Sequence, residues 1–119
     1  MRAVIKLGGT LLETEASRRR LAAELAQAAG DGARLVVVHG GGKQMSRFLA
    51  ERGVSSRFVN GLRVTTPEVL EAVLMVVAGN INGQLVATLI EAGAMAVGLS
   101  GVDGCLMEAE PLSEELGAV

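Results

Sequence analysis

Twice in its first half the chain runs from a short apolar stretch into glycines and on into a helical pattern. "VIKLGG" leads to "TEASRRRLAAELAQAAG", and "RLVVVHGGG" leads to "KQMSRFLAERG". Glycine gives up more backbone freedom on folding than any other residue. A triplet such as Gly40, Gly41 and Gly42 therefore needs something that compensates for that cost. The repeated order of strand, glycines and helix predicts an α/β domain whose parallel strands are joined by right-handed crossovers. The expected fold is an open, mostly parallel sheet sandwiched by helices.

The chain has 119 residues, enough for one compact domain, which buries roughly two-thirds of its unfolded surface. Half of the residues are hydrophobic, yet only Phe48 and Phe58 are aromatic. The core is thus built from Val, Leu, Ile, Met and Ala, the palette of a buried parallel sheet packed by Ala-rich helices. "RLVVVH" carries too few polar residues for a half-exposed strand. Net charge is −2, and the basic residues are scattered apart from Arg18, Arg19 and Arg20. Without a basic stripe, and without Trp or Tyr for base stacking, nucleic-acid binding is disfavoured. The opening apolar run is too short for a signal peptide and "AVLMVVAG" falls short of a membrane span, so a cytoplasmic location is expected. The lone Cys105 fits a reducing compartment and reads as a small buried hydrophobe.

Thr14 is the expected N-cap of a helix running to about Ala29, with Glu15 in its first turn and Gly30 and Gly32 marking its end. Met45, Phe48, Leu49 and Arg52 fall at helical spacing before Gly53. Asn60-Gly61 in "RFVNGLRV" is a strong hairpin signal. A two-residue turn there sets Phe58 opposite Arg63 on one face and Val59 opposite Leu62 on the other. Thr66, Pro67 and Glu68 then read as cap, first helical position and dipole-complementing acid. Beyond Glu71 this helix is apolar all round, which points to a subunit interface. A further helix is expected over about Asn82 to Glu91. "AMAVGLSGVDG" reads as a strand and a glycine-spaced turn, and "CLMEAE" as a short peripheral strand.

Glycine junctions at the carboxyl ends of parallel strands let a ligand approach backbone N–H groups, and a helix N-terminus there favours an anion. Two such junctions suit one anionic ligand with two charged parts, or two ligands. Neither standard nucleotide cradle fits. A P-loop would need glycine at position 37 and Ser or Thr at 44, where Val37 and Gln44 stand; the Rossmann fingerprint would need glycine at 45, where Met45 stands. Lys6, inside an apolar strand, either reaches solvent at the strand end or meets an anion; the neighbouring glycines favour the anion. Arg63, on the hairpin, has the fork to clamp a carboxylate in two parallel bonds, if it is not simply a solvated strand arginine. His39 reads as a hydrogen-bonded structural residue and Arg18 to Arg20 as a solvated helix face. Asp103 reads first as a turn residue. No cluster has metal-ligand spacing, so no protein metal site is expected.

"VIKLGGTLL", "LVVVHGGGKQ", "RFVNGLRVTTPEVLEAV" and "AVGLSGVDG", in that order and spacing, resemble the amino acid kinase family, from about Val4 to Val119. The resemblance implies the N-terminal half of that fold with a β-hairpin lid, and ATP-dependent phosphorylation of a side-chain carboxylate to an acyl phosphate. It implies ATP with Mg2+ as co-substrate and N-acetyl-L-glutamate as acceptor, or another acidic amino acid such as a carrier-bound aminoadipate. Lys6 would stabilise the phosphoryl group in flight, Gly8 and Gly9 would lie against the ATP phosphates, and Gly41 and Gly42 would bind the acceptor. Arg63 would clamp its α-carboxylate, and the helix from Pro67 would form a homodimer. On this resemblance residues 1–119 are an acceptor-binding lobe without the ATP-binding C-terminal lobe, which also admits a non-catalytic ligand-binding or dimerisation fragment.

Overall fold

The computed structural model describes residues 1–117. Ala118 and Val119, the end of "EELGAV" and of the stretch that carries the resemblance, lie outside the described residues. Strands β1 (Arg2–Leu7) and β2 (Arg34–His39) pair in parallel, in register from Arg2 opposite Arg34 to Leu7 opposite His39. Helix α1 (Glu15–Gly30) forms the crossover. The Thr14 side chain accepts from the Ser17 amide at 3.2 Å, as a cap should, and the chain leaves through Gly32 at φ 92°. Helix α2 (Gly42–Glu51) follows β2 and ends at Gly53, φ 68°. The expected α/β architecture with parallel strands is therefore present.

The sheet is less buried than its composition predicts. Successive side chains alternate between faces, and Ile5, Leu7, Leu35 and Val37 meet the helices. On the opposite face Val4, Val36 and Val38 are 74%, 59% and 48% exposed. The buried side chains of the helices gather in one cluster, so among the described residues only one face of the strands is covered.

Asn60 (φ 49°) and Gly61 (φ 80°) turn a hairpin of β3 (Phe58–Val59) and β4 (Leu62–Arg63). Phe58 pairs with Arg63 and Val59 with Leu62, as expected. Next comes one continuous helix, Pro67–Glu91, where two helices were expected. It comprises α3 (Pro67–Ala72), a π-helical stretch (Val73–Ile81) and α4 (Asn82–Glu91). Thr66 caps it by accepting from the Val69 amide. Widening the coil carries the helix through Gly79 and Asn80, and Gln84 donates to Asn80 Oδ1 at 3.0 Å across the junction. At 25 residues this helix is long and apolar enough to cross a membrane by length and composition alone, a correction to the shorter run counted from the sequence. Yet Val69, Ala72, Val76, Ile81, Leu85 and Leu89 along it lie in the domain core.

Residues 94–100 keep the alternation of a strand, with Ala94 and Ala96 against the core and Met95 and Val97 outward, but pair with no neighbouring strand among the described residues. A side chain at Gly98 would collide with Asn82 and Val86 of α4, so the chain lies on that helix. A cleft of about 700 Å³ lined by Val36, Val38, Ala96 and Met107 adjoins it. "CLMEAE" forms no strand either. Cys105 is exposed rather than buried, because the turn through Gly104 (φ 60°) and Cys105 (φ 54°) stands away from the core.

Candidate functional site

Because β1 and β2 are parallel neighbours with Leu7 opposite His39, the glycines after each strand leave the same sheet edge. They touch. A Cβ on Gly9 would stand 3.8 Å from Gly41 Cα and 3.9 Å from the Gly42 nitrogen. Gln44 Nε2 donates to the Gly9 carbonyl at 3.2 Å, and Lys43 Nζ lies 3.8 Å from Glu13.

The glycines divide by what their missing side chains would meet. Gly41 is buried, and a Cβ there would run into Ile81 Cδ1 and stand 3.2 Å from Val77 Cγ2, both on the π-helical stretch. Close packing accounts for Gly41. At Gly9 a Cβ would make only ordinary van der Waals contact, the nearest atom being Gln44 Oε1 at 3.4 Å. Around Gly8, Gly40 and Gly42 there is open space, which leaves room for a ligand against the backbone. Gly41 caps α2 without a side-chain hydrogen bond, and the first intrahelical bond is Met45 N–H to Gly41 O at 2.8 Å. The N–H groups of Gly42, Lys43 and Gln44 thus have no partner within the helix, the arrangement that binds anions at helix N-termini.

Arg63 closes this corner from the hairpin. Its guanidinium stacks 4.6 Å from the centre of the Phe58 ring, its neighbour across the two-residue turn. Nη1 donates to Ser56 Oγ at 2.5 Å, and Nη2 donates to Ser46 Oγ at 2.9 Å and to the Gly42 carbonyl at 3.4 Å. Two segments singled out separately from the sequence, "HGGGKQ" and "NGLRV", are one place in the fold.

Lys6 is exposed on the uncovered sheet face and makes no ion pair or side-chain hydrogen bond among the described residues. It is the residue before the strand end, beside Gly8 only through the chain. His39 is half-buried and its Nδ1 lies 3.1 Å from the Gly40 carbonyl, which suits a structural residue. Arg18 departs from the solvated-face reading: it turns back, half-buried, and donates to the Leu12 carbonyl at 2.9 Å. Arg19 and Arg20 do form exposed pairs with Glu15 and Glu24. Asp103 closes its own turn, accepting from the Ser100 amide at 2.6 Å and hydroxyl at 2.9 Å. These bonds, the amide first, hold its carboxyl below the ordinary carboxylate range. Among the described residues no three His, Cys, Asp or Glu side chains gather to hold a metal.

The sequence reading passed over Gln44, Ser46 and Ile81. Gln44 and Ser46 lie in the first turns of α2, and Ser46 falls four residues after Gly42, on the same helix face. That spacing was the available signal.

The chain matches the Amino acid kinase family over residues 1–117. It is 57% identical over its whole length to the acetylglutamate kinase of Solibacter usitatus, of which it covers 46%. It is 47% identical over 109 residues, 92% of the chain, to the acetylglutamate kinase of a Geobacillus species, covering 42% of that protein. Among solved structures, the N-acetylglutamate synthase of Neisseria gonorrhoeae, complexed with coenzyme A and N-acetyl-glutamate, superimposes with a TM-score of 0.70 at 29% identity. That match covers 81% of this chain and 22% of the other. The chain thus spans about half the length of the curated relatives it matches. Touching glycine loops at the end of parallel strands and a family match across every described residue agree: the chain belongs to the amino acid kinase family.

Proposed function

We propose that residues 1–119 are the acceptor-substrate lobe of an acetylglutamate kinase, which transfers the γ-phosphoryl group of ATP to the side-chain carboxylate of N-acetyl-L-glutamate. The observation that carries this reading is the meeting of Arg63 with Gly42 at a helix N-terminus that no side chain caps. A guanidinium fork beside free N–H groups suits a ligand with more than one negative end. The names of the relatives supply the acceptor.

A carboxylate oxygen would attack the γ-phosphorus while the bond to the ADP oxygen breaks, giving an acyl phosphate and ADP. The nucleophile is already ionised, so no proton must be removed. The difficulty is bringing two anions together, and catalysis consists of positioning and charge neutralisation. In this reading Gly41 and Gly42 hold the acceptor, Arg63 takes its α-carboxylate, and Gly8 and Gly9 lie against the ATP phosphates. Lys6, exposed and unpaired among the described residues, stabilises the phosphoryl group in transfer. Mg2+ accompanying ATP would be held chiefly by phosphate oxygens. The nucleoside end of ATP is assigned to the half of the relatives that this chain does not span. In this reading the long helix forms the homodimer contact, which exposed Leu70, Leu74 and Met75 support, and the enzyme is cytoplasmic.

The alternative is a ligand-binding or dimerisation module without turnover, which the N-terminus of α2 beside Arg63 would serve equally. Calorimetry on this chain with N-acetyl-L-glutamate, glutamate and aminoadipate, beside ADP release from ATP with each by a full-length protein that carries it, separates the two. Selective binding of N-acetyl-L-glutamate with ADP release supports the kinase. Binding without ADP release supports the module, and preference for aminoadipate reassigns the acceptor.

A further inference from the structure

Ser46 stands one helical turn beyond Gly42, and its hydroxyl faces two ways. It donates to the Gly42 carbonyl at 2.9 Å and accepts from Arg63 Nη2 at 2.9 Å. A hydroxyl bonded to the carbonyl four residues earlier slightly weakens a helix, and alanine is the better helix former. Helix stability therefore gives no reason for serine here. The hairpin that carries Arg63 pairs only two residues on each strand, and a two-stranded hairpin is marginal alone. An unanchored arginine on it would sample many rotamers, at an entropic cost to any ligand that has to collect it.

We propose that Ser46 is a positioning residue: by holding Nη2 it keeps Arg63 over the N-terminus of α2, so that the hairpin is closed before an anionic ligand arrives. Phe58 supplies the stacking surface and Ser56 the second anchor. Of the two serine anchors, Ser46 is the one that links the guanidinium to the first turn of α2. The inference deepens the reading above, in which Arg63 takes the acceptor α-carboxylate.

The test uses the whole chain, with Ser46→Ala and Ser46→Thr, in two arms. In the first, without ligand, nuclear magnetic resonance follows the guanidinium nitrogens of Arg63. Separate, slowly exchanging Nη signals are expected in the parent chain and in Ser46→Thr, which keeps the hydroxyl. In Ser46→Ala the signals should average while the melting midpoint holds or rises. An Arg63 spectrum unchanged by Ser46→Ala overturns the proposal, and so does a lowered midpoint accompanying an unchanged spectrum. In the second arm, N-acetyl-L-glutamate is titrated into each variant. If the closed fraction falls to about one-fifth, apparent affinity falls about fivefold. Ser46→Ala should add nothing in an Arg63→Ala background, since the two share one interaction. Independent, multiplying losses overturn the proposal. If the parent chain binds no N-acetyl-L-glutamate while Ser46→Ala releases Arg63, the kinase reading falls and the positioning role stands.

Discussion

Gln44 Nε2 reaches the Gly9 carbonyl across 3.2 Å, so a single side chain ties the loop after β1 to the first turn of α2. Lys43 and Glu13 join the same two segments more loosely, at 3.8 Å. The two glycine loops are therefore joined by side-chain contacts as well as by the sheet.

Breaking that tie separates stability from function. Gln44→Ala removes a neutral hydrogen bond of about 1 kcal/mol, partly offset because Gln44 Oε1 is buried without a partner. The expected loss in urea unfolding is at most about 1 kcal/mol, while affinity for ATP and for N-acetyl-L-glutamate falls together. Gln44→Glu cannot donate and adds a negative charge beside anions, so it should weaken both further than alanine does. Loss of one affinity with the other intact would mean the loops are independent.

Gly41 and Gly42 should respond oppositely to alanine. At Gly41 the new methyl meets Ile81 and Val77, an overpacking cost of about 1–3 kcal/mol measurable by chemical denaturation. Ile81→Val deletes Cδ1 and should restore part of that loss. At Gly42 there is space, so stability should stay within about 0.5 kcal/mol while calorimetry reads weaker acceptor binding.

Arg63→Ala should cost tenfold or more in acceptor affinity, the weight of a charged hydrogen bond at about 1.5–3 kcal/mol. Arg63→Lys should recover little, because an ammonium lacks the fork. Unchanged binding would remove Arg63 from the site. Lys6→Ala in a full-length enzyme should lower turnover and spare acceptor binding; normal turnover would remove Lys6 from the mechanism.

Asp103 supplies a pH dependence confined to its turn. Its folded carboxyl titrates below the ordinary range because Ser100 donates to it. The unfolded chain thus binds the proton first as pH falls, and the stabilisation, present above the unfolded value of about 3.9, is lost through the lower folded value. Asp103→Asn should lower the melting midpoint near neutrality, with the difference closing in strong acid. A difference that persists in strong acid would trace the effect to something other than the charge.

Local chemistry was legible wherever a residue needed only its chain neighbours. Thr14 and Thr66 cap because a hydroxyl reaches an amide three residues on, Asn60-Gly61 turns because both adopt positive φ, and Asp103 closes on Ser100. The repeated strand, glycine and helix order likewise implied parallel strands, and the four quoted motifs pointed to the family. Contacts between segments were not legible. Arg63 on Ser46, Gln44 on Gly9 and Ile81 against Gly41 each depend on how the hairpin, the loop after β1 and the long helix pack around α2. The exposed face of Val4, Val36 and Val38 makes the same point. Alternation and composition say that a strand wants cover, but only an element packed in space can provide it. Periodicity and capping are properties of neighbouring residues, whereas burial and ligand geometry depend on distances between residues far apart in the chain.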